Sequence, residues 1–130
     1  MSESKTRGGA AGTVLVIDDD TDLLYLLAES IRGTGRTVFT AADGGAGIAL
    51  LDSPEVPRPC LVLLDWKMHP MGGEEFLKCL RARPDADGLP VLIMSADTHV
   101  PSKTITGGVL GTLQKPFEYG DLLAVLDEHC

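Results

Sequence analysis

Four places along the chain set a reactive side chain at or near the end of an apolar run. Val14–Ile17 is followed by Asp18, Asp19 and Asp20, and Leu61–Leu64 by Asp65. Val91–Met94 is followed by Ser95, and Leu110–Leu113 leads, one residue later, to Lys115. Carboxylates with no His or Cys among them are hard oxygen donors, which suit Mg²⁺. Like charges ~4 Å apart repel by roughly 4 kcal/mol at an effective dielectric of about 20, so a carboxylate cluster must protonate, pair with a cation or bind a metal. Lysine brings a mobile positive charge for a phosphoryl oxygen, and serine a hydroxyl donor. Metal, ammonium and hydroxyl together can disperse charge on a phosphoryl group in transfer. A carboxylate such as Asp65 can receive that group as a nucleophile.

This chemistry requires four distant segments to meet, so the elements that carry them matter. The runs at Val14, Leu61 and Val91 are short, continuous and bounded by polar residues. They predict strands buried on both faces, as in a parallel sheet covered by helices. Thr37–Thr40 and Leu110–Leu113 interleave polar or small residues and predict edge strands. Between them, Leu23, Leu24, Leu27 and Ile31 share a helical face that Gly33 ends. Ala46, Ala49 and Leu50 make a weaker stripe, with Gly44, Gly45 and Gly47 softening its start. Phe76, Leu77 and Leu80 mark a third helix, and Tyr119, Leu122, Leu123 and Leu126 the last. Asp97–Gly108 should hold a helix too, but its β-branched residues, Pro101 and terminal glycines predict a short or poorly ordered one. Pro54–Pro59 is a proline-stiffened loop. The βα alternation implies parallel strands with right-handed crossovers. Ligands then bind beyond the carboxyl ends of the strands, where all four places converge.

With 130 residues the chain is one domain, read as a flexible lead-in over 1–12 and a folded body over 13–130. A net charge of −8 argues against a surface that neutralises nucleic-acid phosphates and favours cations or basic partners. No apolar run approaches a membrane span, and the first residues lack a signal-peptide core. Cys60, Cys79 and Cys130 are odd in number and lack CxxC spacing. They read as neither a disulfide framework nor a zinc motif, which points to a reducing compartment, the cytoplasm. Cys60 and Cys79 are expected as small buried hydrophobes. Asp20 and Asp22 fit the start of the first helix. His69, His99 and His129 share no ligand spacing, His69 reads as a solvated loop residue, and Trp66 should pack at the rim.

The segments VLVIDDD, LVLLDWKM, VLIMSAD and LQKPF, in this order and spacing, resemble the receiver domain of two-component response regulators from Val14 to Asp127. The resemblance implies a flavodoxin-like (βα)5 three-layer α/β sandwich with a parallel five-stranded sheet of order 2-1-3-4-5. It implies a signalling switch rather than an enzyme proper. Asp65 would accept a phosphoryl group from a phospho-histidine on a sensor histidine kinase or histidine phosphotransfer protein. Asp19 would bind Mg²⁺ directly, Asp18 through a metal-bound water, and the backbone carbonyl of Lys67 as third ligand. Ser95 and Lys115 would contact the phosphoryl group, Ala96 would keep access open, and the bond before Pro116 is often cis in such domains. Neither nucleic acid nor membrane is an expected partner. No output domain is evident, so the chain reads as a free-standing regulator, a relay intermediate or an excised piece.

Several positions depart from the pattern. The proline after Asp65 comes one place late, with His69 in its usual position. Thr112 stands where an aromatic switch residue is common, and Ser95 to Lys115 is about two positions short. These features predict signalling through another surface, or a weakly coupled switch. Lys67 and Asp97 flank the expected water route and could pair across it. Two rivals are a haloacid-dehalogenase-like phosphatase using Asp18 as nucleophile, and a degenerate receiver acting only as a binding module.

Overall fold

The structure, a computed structural model, describes residues 12–84, 88–96 and 108–130. Its elements are β1 (Thr13–Ile17), α1 (Thr21–Arg32), β2 (Thr37–Ala41), α2 (Gly44–Asp52), β3 (Leu61–Asp65), α3 (Gly73–Arg81), β4 (Val91–Ser95), β5 (Val109–Gln114) and α4 (Tyr119–His129). The strands form one parallel sheet in the order β2-β1-β3-β4-β5, with the mixed strands at its edges as their polarity predicts. Every residue of β1, β3 and β4 is buried, because helices cover both faces. Val14, Val16, Leu61 and Leu63 meet α1 and α4 through Leu24, Leu27, Leu122 and Leu126. Leu15, Ile17, Val62 and Leu64 point the other way, onto Phe76, Leu77 and Leu80 of α3. The period-2 alternation of each strand thus supplies two cores. Among the described residues, no helix is long and apolar enough to cross a membrane.

The start of α1 follows from Asp20. Its carboxylate accepts the N–H groups of Asp22 and Leu23, both at 3.1 Å, which caps two otherwise unsatisfied donors. Gly33 ends the helix in ordinary helical geometry; the left-handed turn falls at Gly35, with φ 92°. At the far edge, Val91 pairs with Val109 but Leu92 with Gly111, so Leu110 is an extra residue in β5.

Three expectations need correction. In α2 the predicted stripe holds only at Leu50, which packs against the core: Ala46 and Ala49 are exposed, while Gly44 and Gly47 are buried inside the helix. A Cβ on Gly47 would lie 2.5 Å from Ile17 Cδ1 and 3.1 Å from Phe76, so glycine there lets the helix sit close on the sheet. Gly47→Ala is accordingly expected to destabilise the fold by about 1–3 kcal/mol by overpacking, read as a lowered urea midpoint with unchanged slope. In α4, Tyr119 is 54% exposed rather than on the buried face with Leu122 and Leu126. The cysteines also behave differently. Cys60 and Cys130 form a disulfide across 70 residues, and Cys79 is exposed. The fold brings the start of β3 to the end of α4, a proximity that sequence spacing does not encode. The cysteine argument for a reducing compartment loses its footing with this bond. The expectations for the lead-in and for a helix within Asp97–Gly108 fall largely outside the described residues.

Candidate functional site

Hydrogen bonds that continue the sheet past its strand ends fix the backbone of the expected residues. Asp18 donates its N–H to the carbonyl of Ala41 at 3.0 Å, Trp66 to Met94 at 3.0 Å, and Lys115 to Ser95 at 2.8 Å. Asp65 and Ser95 are themselves the last residues of β3 and β4. The side chains therefore stand on rigid elements at one edge, as the parallel topology predicts.

Carboxylate oxygens of Asp18, Asp19 and Asp65 lie within 4.8 Å of one another. Asp18 is fully buried, Asp65 and Ser95 nearly so, and Asp19 faces solvent. Both oxygens of Asp18 have partners. Oδ1 accepts the N–H of Asp20 at 2.9 Å, and Oδ2 accepts from Lys115 Nζ at 2.6 Å. The same ammonium reaches Asp65 Oδ1 at 3.2 Å. An open cleft of about 710 Å³ above these groups is lined by Asp19, Asp20, Asp65, Lys67, Ser95, Ala96 and Lys115.

The electrostatics follow from that crowding. Burial, then the charge of Asp18, push the Asp65 carboxyl up to about 6, against the downward pull of Lys115; Asp19 adds a smaller upward push. Burial acts to lower the Lys115 pKa, but its hydrogen bond to Asp18 and the charges of Asp18 and Asp65 win, and it is raised. Among the described residues, the Lys115 ammonium thus pairs with Asp18 and Asp65, and the Asp19 carboxylate adds a third negative charge within 4.8 Å of theirs. An all-oxygen donor set with an excess of negative charge fits a hard divalent cation such as Mg²⁺, though not the softer metals that His and Cys select.

All the expected site residues, Asp18, Asp19, Asp65, Lys67, Ser95 and Lys115, come together at this edge. Asp20 does so as well, as its place after the first strand and at the helix start predicts: its side chain caps α1 and also borders the cleft. The Lys115 contact with Asp18 goes beyond expectation, since the sequence pattern aims the lysine at a phosphoryl group. His69 is exposed, as expected. Trp66 is half-buried and packs against α3, where a Cβ on Gly73 would lie 2.7 Å from its ring. The peptide bonds His69–Pro70 and Lys115–Pro116 are cis. Thr112 is exposed on β5, and Asp97, the expected partner of Lys67, lies outside the described residues.

Known proteins resemble this chain in sequence and in fold. The family of response regulator receiver domains matches residues 14–127. The transcriptional regulatory protein PrrA of Mycobacterium leprae is 36% identical over 119 residues, covering 90% of this chain and 49% of that protein. The chain spans about half the length of the first curated relatives it matches. Chemotaxis protein CheY4 of Vibrio cholerae has a similar structure, with TM-score 0.79 and 30% identity over 92% of this chain and 98% of that one. A response regulator receiver protein from Pseudomonas putida reaches TM-score 0.80 at 26% identity, covering 90% and 96%. With its acids, serine and lysine at the carboxyl edge of a 2-1-3-4-5 sheet, and with a family match running almost from end to end, the chain belongs to the response regulator receiver domains.

Proposed function

We propose that residues 13–130 act as a phosphorylatable switch in which Asp65 takes a phosphoryl group from a phospho-histidine. The donor is a sensor histidine kinase or a histidine phosphotransfer protein. In the transfer, an Asp65 oxygen forms a bond to phosphorus, the phosphorus–nitrogen bond of the donor breaks, and the imidazole leaves with its electron pair. Lys115 balances the charge that accumulates, and the Ser95 hydroxyl is the adjacent donor. Asp18, Asp19, Asp65 and the Lys67 carbonyl would hold Mg²⁺, which supplies Lewis-acid neutralisation of the phosphoryl oxygens. The compartment we propose is the cytoplasm, where nucleoside triphosphates recharge such donors.

The observation that supports this reading best is the position of Asp65. It is nearly buried, within reach of one lysine, and opens on a cleft rather than into the core. With its carboxyl near 6 it is ionised at neutral pH, as a nucleophile must be. The test is incubation with acetyl phosphate and Mg²⁺ followed by mass spectrometry. Wild type is expected to gain one phosphoryl group and Asp65→Ala none. Modification of Asp18 instead would turn the assignment to a phosphatase-like nucleophile. A protein that gains nothing, and whose Trp66 fluorescence ignores Mg²⁺, would be a binding module only.

A further inference from the structure

The pole of the sheet opposite the acidic cleft carries a second pair of reactive groups. Cys60 stands immediately before β3 and Cys130 immediately after α4, with their Cα atoms 5.4 Å apart and their sulfurs bonded. Cys60 is anchored to the sheet, because its N–H donates to the carbonyl of Thr13, the first residue of β1, at 2.9 Å. Cys130 belongs to the last turn of α4, where its N–H donates to Leu126 at 2.8 Å. A second tie joins the same turn to the start of β2: Arg36, almost fully buried, donates to Asp127 at 3.1 Å.

We propose that Cys60 and Cys130 are a reversible thiol–disulfide pair that clasps the last turn of α4 to the amino-terminal edge of the sheet. Three observations carry this. Both cysteines are half-buried, so a small reductant or oxidant can reach the bond. Cys60 Sγ lies 3.2 Å from the Thr13 carbonyl oxygen. That oxygen is of no use to a disulfide sulfur as an acceptor but receives an S–H once the bond is cut, so the reduced state is also satisfied. Finally, α4 is held independently of the bond by Leu122 and Leu126 in the core and by the tie from buried Arg36 to exposed Asp127. Reduction therefore loosens one turn and leaves the sandwich standing.

The chemistry balances with common reactants. A hydroperoxide oxidises the pair: its O–O bond breaks, the two thiols lose two protons and two electrons in all, S–S forms, and water and an alcohol (two waters from hydrogen peroxide) depart. A dithiol reverses it by exchange, its own sulfurs becoming bonded while both hydrogens pass to Cys60 and Cys130.

Native labelling with a maleimide, located by mass spectrometry, tests the proposal on the whole chain. As oxidised protein it is expected to take label at Cys79 alone. After dithiothreitol without denaturant it should take label at all three cysteines, and hydrogen peroxide should restore the first pattern. Amide exchange at residues 127–130 should run at least about tenfold faster in the reduced protein, with exchange in β1 and β3 unchanged. Cys60→Ser and Cys130→Ser should each exchange like the reduced form. A bond that dithiothreitol leaves intact in the folded state would make it a permanent staple and overturn the proposal. So would three labels that peroxide does not reduce to one, or exchange that is the same in both states.

Discussion

Asp65→Asn is expected to stabilise the metal-free protein by about 2–3 kcal/mol at pH 7.5, although it removes the proposed nucleophile. The sign follows from the carboxyl's position near 6 in the fold against 3.8 as the ordinary value. A group whose folded pKa is raised holds its proton more tightly in the native state. Its stabilising contribution is complete below about pH 3.8 and is lost as pH climbs to about 6. Above that range the native state carries a buried charge that it disfavours, by about 1.4 kcal/mol for each factor of ten in proton affinity. Asparagine cannot ionise and escapes the loss. Urea melts in EDTA at pH 3.5 and pH 7.5 check this. The two proteins should differ little at the lower pH and separate at the higher. Equal midpoints at pH 7.5 would show that Lys115 already compensates the charge.

Lys115→Met should have the opposite effect. It removes the ammonium that touches both Asp18 and Asp65, two carboxylates taken out of water. Breaking a buried pair from one side costs about 3–5 kcal/mol, because the remaining charge is left uncompensated. In EDTA at pH 7.5 the midpoint should therefore fall steeply. Millimolar Mg²⁺ should recover part of the loss, since a ligand that binds only the native state stabilises it by mass action. The double variant Lys115→Met with Asp65→Asn should lose much less than Lys115→Met alone, because one of the stranded charges is gone. A Lys115→Met protein as stable as wild type would remove the charge-crowding account of the cleft.

Much of this is legible in the residues. Continuous runs such as Val14–Ile17 and Leu61–Leu64 encode burial on two faces, and with the βα alternation that sets parallel strands with acids at their ends. Ser95 and Lys115 are legible for the same reason, because strand ends are local features and topology then gathers them. What hydropathy does not convey is contact made by the absence of a side chain. Gly44 and Gly47 are buried in α2, beside the half-buried Ile48, Leu50 and Leu51, because Met71 and Ile17 press against them from elsewhere. A periodicity count gives glycine no weight and so favours Ala46 and Ala49, which face solvent. The Cys60–Cys130 bond is hidden in a similar way, since connectivity is a property of the finished fold. Asp20 serves two ends that the sequence offers side by side: one carboxylate caps a helix and borders a cleft.

The contact between Lys115 and Asp18 spans 97 positions, from the first strand's end to just past the last. A nascent chain emerging from the ribosome exposes its acids long before the lysine that quiets them. Until the fifth strand docks there is no finished pocket, and a proteolytic fragment ending anywhere before Lys115 lacks it altogether. Closure of the acidic edge therefore waits on a residue that follows the fifth strand, and order of synthesis leaves Asp18 and Asp65 unneutralised until it arrives.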